Sequence, residues 1–177
     1  MKVTPCSEIR RIERTAIEDR GIPSLQLMDR AAHAVADAVK ASKRKKIVIL
    51  CGTGKNGGDG FAAAQLLLDA GLEVLVYALG DPEKRAEETR HYAEAYNGPV
   101  RTGPDEEIVR ADAIVDALFG IGFHGALEGD FLTAVQLANR RRGLTAPMRV
   151  AVDVPSGVNA DTGAVEGEAF RASHEFR

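Results

Sequence analysis

The chain has 177 residues, 45% hydrophobic and 28% charged, with a formal net charge of -3 and no tryptophan. That length bounds it to one domain with room for a sizeable core, and its slight acidity gives no electrostatic footprint for nucleic acid. No signal peptide or long apolar span is evident, so the expectation is a cytoplasmic protein with no membrane partner. The two cysteines, Cys6 and Cys51, lack metal-ligand spacing and read as reduced structural thiols, with Cys51 buried at a strand end.

In chain order, Ser7 to Arg20 places Ile9, Ile12, Ala16 and Ile17 on one helical face, with Ser7 as N-cap. Gly21-Ile22-Pro23 breaks that helix. Ser24 to Lys40 reads as a second helix, capped by Ser24, with Leu25, Leu27, Met28, Ala31, Ala32, Val35 and Val39 apolar. The basic runs Lys43-Arg44-Lys45-Lys46 and Arg140-Arg141-Arg142 read as solvated helix ends, where cations suit the dipole.

From residue 46 the alternation becomes regular. A fully apolar strand, 46–51, leads through the glycine-rich stretch Gly52 to Gly60 into a helix over 58–70. Strand 73–78 follows, then a long polar helix from about Pro82 to Tyr96. A short strand near Val100, a short helix over 104–110 and a strand Ala113-Ile114-Val115-Asp116 come next. A helix from Phe131 to Arg141 and strand Arg149-Val150-Ala151-Val152-Asp153 complete the pattern, with no strand signal after Gly163. Strands alternating with helices predict right-handed βαβ units. The fold class is therefore Rossmann-like three-layer α/β/α, with a mostly parallel sheet and two N-terminal helices.

Ligands of open α/β sheets bind outside the carboxyl ends of the strands. Three predicted strands end there in unusual loops: Gly52 to Gly60, Asp116 to Gly125, and Asp153 to Asp161. The first holds five glycines in nine residues, which permits positive φ and close approach to a ligand, a phosphate cradle on this reading. It formally matches G-x-G-x-x-G, but Val74-Leu75-Val76-Tyr77-Ala78-Leu79 offers no ribose-binding acid, which disfavours an ordinary NAD-dependent dehydrogenase. No Gly-Lys-Ser/Thr follows, so it is not a Walker A loop.

Asn56, Asp116 and Ser156 supply oxygen donors from three loops at one edge. One carboxylate with neutral oxygens suits a weakly charged hard cation better than a transition metal. His33, His91, His124 and His174 are isolated and give no zinc cluster. Ser156 lacks a nucleophile elbow and an evident activating histidine, and reads as a ligand to cation or substrate. Asp116 and Asp153 are the candidates for general acid/base work, since burial at a strand edge raises a carboxyl pKa.

Lys55-Asn56-Gly57-Gly58-Asp59-Gly60, Val115-Asp116-Ala117-Leu118-Phe119-Gly120-Ile121-Gly122 and Asp153-Val154-Pro155-Ser156-Gly157 with Asp161-Thr162-Gly163 resemble the YjeF N-terminal domain family, the NAD(P)HX epimerases. Gly21-Ile22-Pro23 with Leu27-Met28-Asp29-Arg30-Ala31-Ala32 is similar to that family's N-terminal helices. The resemblance implies an epimerase interconverting the R and S forms of hydrated NADH and NADPH. A separate ADP- or ATP-dependent dehydratase that accepts only the S form would then restore the cofactor. It further implies a potassium ion on Asn56, Asp116 and Ser156. Substrate contacts are implied at Lys55, Asn56, Gly57, Gly58 and Asp59, along Gly120, Ile121, Gly122, Phe123, His124, Gly125 and Ala126, and at Asp153. Homodimers are implied, and in many bacteria fusion to the dehydratase.

Two departures stand out. The family usually has Asn at position 55, where Lys55 could pair with a substrate phosphate or perturb the cation site. The family also continues past residue 170 with further strands, so residues 1–177 are expected to form a single domain lacking its last C-terminal strands. The rival reading is a non-catalytic nucleotide-binding or scaffold protein of the same fold.

Overall fold

The computed structural model describes residues 23–175 except 142, 144 and 145, together with Glu8, Arg11 and Thr15. The predicted first helix, Ser7 to Arg20, and Cys6 lie outside the described residues apart from those three positions, which are helical. The second predicted helix forms as α1 (Ser24–Ala41). Pro23 rather than Ser24 is its N-cap, because the Ser24 hydroxyl donates instead to Glu88 Oε1 at 2.9 Å.

The elements that follow are β1 (Lys46–Cys51), α2 (Lys55–Asp69), β2 (Glu73–Ala78), α3 (Glu87–Ala95), β3 (Val100–Arg101), β4 (Ala113–Ala117), α4 (Gly129–Asn139), β5 (Met148–Ala151) and β6 (His174–Glu175). They build a six-stranded sheet in the order β3-β2-β1-β4-β5-β6. Each ladder is parallel, with Ile49 opposite Val76 on one side and Val115 on the other. This is the doubly wound order, whose switch point falls between β1 and β4.

Both faces of β1 are covered, as its unbroken apolar run requires. Ile47, Ile49 and Cys51 enter one core with Val35 and Val39 of α1 and Phe61 and Leu67 of α2. Val48 and Leu50 point the other way, into a second core with Ile108, Ile114, Leu118 and the α4 residues Ala134 and Val135. Alternation along the strand thus divides the molecule into three layers.

Four local expectations are corrected. The polar helix from Pro82 is interrupted: a 3₁₀ turn at Pro82–Lys84 stops at Arg85, and Ala86 is extended. The Ala86 N–H donates to Thr53 O at 2.9 Å, so the loop after β1 captures the backbone that a continuous helix would use. Residues 104–110 form turns closed by Ile108 N–H to Asp105 O and Val109 N–H to Glu106 O, not a helix. α4 is shifted forward, Gly129–Asn139 against the predicted Phe131 to Arg141. A sixth strand follows Gly163: His174 and Glu175 pair with Val150 and Ala151. Two polar residues carry no apolar signature, so periodicity could not announce β6.

The segment leading to β6 buttresses the fifth-strand loop. Asn139 of α4 donates to Glu168 Oε1 and Ala169 O at 2.8 Å each, and its Oδ1 accepts the Arg171 N–H at 3.0 Å. Phe170 N–H in turn donates to Ser156 O at 2.8 Å. Asn139→Ala would strand buried polar groups, and the expected cost is about 2 kcal/mol. A urea midpoint equal to wild type would remove Asn139 from this buttress.

A candidate active site at the sheet switch point

The five glycines of the first loop do not act by left-handed backbone. None of Gly52, Gly54, Gly57, Gly58 or Gly60 has a positive φ. What they permit is close approach of main chain to main chain. A Cβ on Gly57 would lie well under 3.0 Å from the Gly52 carbonyl oxygen, and one on Gly52 as close to that of Leu118. On Gly60 it would meet Ala117 Cβ at 2.6 Å. The absent side chains therefore let α2 begin at Lys55, three residues earlier than its sequence predicts, and pack down onto the ends of β1 and β4. Asn56, Gly57, Gly58 and Asp59 lie in the first turns of that helix rather than in a loop.

A cleft of about 570 Å³ opens at this edge, lined by residues 53–56 of the first motif and 118–124 of the second. A hollow of similar size, about 530 Å³, lies beside Ser42, Met148 and His174. The first is the stronger candidate, because it alone adjoins the carboxyl ends of β1 and β4, where the sheet leaves backbone groups facing a ligand.

Asp116 is fully buried. Its Oδ2 accepts the Ser156 N–H at 2.7 Å, and its Oδ1 accepts the Ser156 hydroxyl at 2.7 Å and the Leu118 N–H at 3.2 Å. Burial pushes its carboxyl up to about 6, against the pull of those donors from Ser156 and Leu118. Phe119 links Ser156 to Asn56. Its N–H donates to Ser156 Oγ at 3.1 Å, and its carbonyl accepts the Asn56 side-chain amide at 2.8 Å. Asn56, Asp116 and Ser156 are thus gathered around one backbone residue, and Phe119 was not singled out by the sequence.

These groups suit a weakly charged hard cation, the class to which potassium belongs. They are hard oxygens carrying a single formal charge, and a buried carboxylate at neutral pH favours a compensating cation. Among the described residues no group of three or more His, Cys, Asp or Glu forms a transition-metal cluster.

Asp153 is placed differently. It is only half-buried, and its Oδ2 accepts the Ile121 N–H at 2.7 Å. Gly120 has no room for a side chain because a Cβ would meet Asp153 Oδ2 at 2.5 Å. The carboxylate is held against the stretch of chain that walls the cleft. Phe123 and Phe131 pack on Phe119, with ring centroids 4.7 and 4.9 Å away. His124 is exposed, its Nδ1 3.3 Å from the Asn159 side-chain amide. Of the predicted contacts, Gly57 and Gly58 are buried within α2, and Asp59, Gly125, Ala126 and Asp153 are outside the lining.

Lys55 turns away from the oxygen cluster. Its Nζ lies 2.7 Å from Glu88 Oε1 at the start of α3. Glu88 escaped the sequence reading because nothing in a polar helix marks one glutamate among several. Thr89, fully buried beside it, donates to Gly54 O at 2.8 Å and fixes the loop from below.

Fold and cleft together define a doubly wound α/β protein with a cleft at its topological switch point. The family model described as YjeF-related protein N-terminus matches residues 24–176. An NAD(P)H-hydrate epimerase of Levilactobacillus brevis is 41% identical over 176 residues, covering 97% of this chain and 80% of the relative. A bifunctional NAD(P)H-hydrate repair enzyme, Nnr, of Methanothermobacter thermautotrophicus is 38% identical over 165 residues, covering 86% of this chain and 31% of the relative. The crystal structure of yeast ynu0 superposes with a TM-score of 0.82 at 25% identity, covering 99% of this chain and 79% of that one. The chain belongs to the YjeF-related N-terminal family.

Proposed function

We propose that this protein is an NAD(P)H-hydrate epimerase, an isomerase that interconverts the R and S forms of hydrated NADH and NADPH. Its relatives of about 40% identity carry that name. The observation that supports the reading most directly is Asp153, a half-buried carboxylate held by the N–H of Ile121, which lines the cleft at the switch point.

Elementary chemistry says what such a carboxylate must do. Adding water across the enamine of a dihydronicotinamide puts the hydroxyl on the carbon bonded to the ring nitrogen. When a proton is delivered to that hydroxyl, water leaves and the nitrogen lone pair forms an iminium. Water then adds to the opposite face and returns a proton, so no atom is gained or lost. Asp153 is assigned both transfers, as acid and then as base. Phe119, Phe123 and the glycines at 120 and 122 shape the wall of the cleft, and the shape of that wall decides how much bulk water reaches the cation. Asp116, locked by Ser156 and Leu118, is assigned to holding the site rather than to moving protons.

Asn56, Asp116 and Ser156, with the Phe119 carbonyl, would hold potassium. Bound there, the ion supplies the positive charge that a buried carboxylate favours and a fixed charge to orient anionic substrate. Exchanging about 0.1 M potassium for a bulky organic cation is expected to lower the thermal midpoint by a few degrees. Equal midpoints would argue against a cation on these residues.

We place the protein in the cytoplasm as a homodimer working beside a separate ADP- or ATP-dependent dehydratase. No described helix is long and apolar enough to cross a membrane. The chain spans about a third of the bifunctional repair enzymes that it matches. The test couples the two activities. A mixture of NADHX epimers given to an S-specific dehydratase should stall with the R form left. Adding this protein should drive the mixture to completion, and an unchanged residue of R form would refute the reading.

A further inference from the structure

Among the described residues that line the cleft, Lys55 is the only lysine or arginine. The other lining residues of the first motif are Thr53, Gly54 and Asn56, and those of the second are apolar or glycine apart from His124. Asp116 and Asp153 bring negative charge to the same edge. A dinucleotide brings at least two more negative charges on its diphosphate, and the NADP form adds a 2′-phosphate. Among the described side chains that line the cleft, Lys55 is the one that offers those phosphates a full positive charge.

Its pairing makes the lysine usable. The Lys55 side chain is 61% exposed, whereas Glu88, its partner at 2.7 Å, is only 17% exposed. Glu88 also accepts the Ser24 hydroxyl at 2.9 Å on the same oxygen. Hydrogen bonds from Lys55 and Ser24 hold its carboxyl below the usual carboxylate range, against the opposing effect of burial. Of the two partners, Glu88 is anchored and Lys55 is exposed. If the lysine swings away, Ser24 still satisfies the carboxylate. An ion pair whose lysine is exposed contributes little, and a phosphate is a stronger partner for the ammonium than a carboxylate already bonded to a hydroxyl.

We propose that Lys55 is the phosphate-reading residue of this cleft, parked on Glu88 in the free protein and transferred to a phosphate of the dinucleotide when it binds. The pair acts as a counter-ion exchange. Glu88 keeps the ammonium ordered beside the cleft and competes with the ligand for it. This inference rests on the epimerase reading, since it needs a dinucleotide in the cleft.

Two phosphates could meet Lys55, and paired substrates separate them. Initial rates of epimerisation on NADHX and NADPHX are measured for wild type, Lys55→Met, Lys55→Arg and Glu88→Gln. Lys55→Met is expected to raise KM about tenfold with kcat within twofold, as loss of one charge-assisted contact requires. A rise for both substrates assigns the diphosphate, and a rise for NADPHX alone assigns the 2′-phosphate. Lys55→Arg should restore most of the affinity. Glu88→Gln should lower KM by removing the competitor, and added salt should raise the wild-type KM more than that of Lys55→Met.

A purely structural pair gives another pattern: KM within twofold of wild type for both substrates in Lys55→Met, with any loss confined to thermal stability. That outcome, with an active wild type, overturns the inference and leaves the epimerase reading standing. An inactive wild type overturns both.

Discussion

Asp153→Asn lowers the rate of epimerisation by about 10²- to 10⁴-fold while the fold survives, the range expected when a proton-transferring group is removed. The substitution is nearly isosteric. An asparagine oxygen can still accept the Ile121 N–H that Asp153 Oδ2 accepts at 2.7 Å, so the cleft wall keeps its anchor. What is lost is a group that can give and regain a proton. KM should change little, because the nearly isosteric amide keeps the Ile121 anchor and the cleft wall in place. Thermal melting of the variant close to wild type shows that the loss is chemical. More than about a tenth of wild-type activity in a folded Asp153→Asn protein would transfer the proton step away from this residue.

The same change at Asp116 has a different expected outcome. Both its oxygens accept from donors, Oδ2 from the Ser156 N–H and Oδ1 from Leu118 N–H and the Ser156 hydroxyl. An amide there must turn an NH₂ toward a backbone N–H in a fully buried place. Loss of activity at Asp116 therefore comes with loss of stability.

The second large effect is on the fold. Gly57→Ala places a methyl well inside contact distance of the Gly52 carbonyl oxygen. The neighbour is backbone, in the turn between β1 and α2, and cannot rotate aside. Relief requires α2 to move off the strand ends, which also shifts Asn56 from the Phe119 carbonyl. The expected destabilisation is about 3 kcal/mol, or roughly 6 to 12 °C in thermal midpoint for a domain of this size. Gly54→Ala is the control. A Cβ at Gly54 meets nothing within 4 Å, and its φ of -77° suits any residue. Its midpoint should stay within about 2 °C of wild type. Equal behaviour of the two variants would remove the close approach of main chains from the account.

These glycines also show where sequence reading stops. Ile47 to Cys51 announced a strand covered on both faces, and the two cores on either side of β1 follow from that run alone. Asp116 and Asp153 stood out as carboxylates at strand ends, and the parallel order of the sheet brings their loops together. The role of the glycines was not legible. Low helix propensity placed the start of α2 at residue 58, and only tertiary packing of Gly57 and Gly58 against Gly52, Met28 and Thr89 moves it to Lys55. Propensity is a weak prior when the alternative is a buried main-chain contact. Glu88 was invisible for a related reason. Its meaning lies in Lys55 and Ser24, on two other helices, and no periodicity encodes a partner distant in sequence. β6 left no trace because His174 and Glu175 join the sheet by backbone hydrogen bonds, not by an apolar pattern.

The lysine at position 55 could have disturbed the cation site. Its ammonium instead lies against Glu88, on the side of α3, while Asn56 alone of that pair reaches Phe119. The departure from the family pattern thus changes the mouth of the cleft and leaves the oxygen cluster around Asp116 intact.

On the epimerase reading this cleft inverts the hydroxyl-bearing carbon of a hydrated nicotinamide. The most direct measurement starts from one purified epimer of NADHX and follows both epimers by chromatography, with and without the protein. Equilibration far above the spontaneous rate is expected, reaching the same final ratio of epimers, as a catalyst must. Equilibration at the spontaneous rate, from a folded protein supplied with potassium, would contradict it.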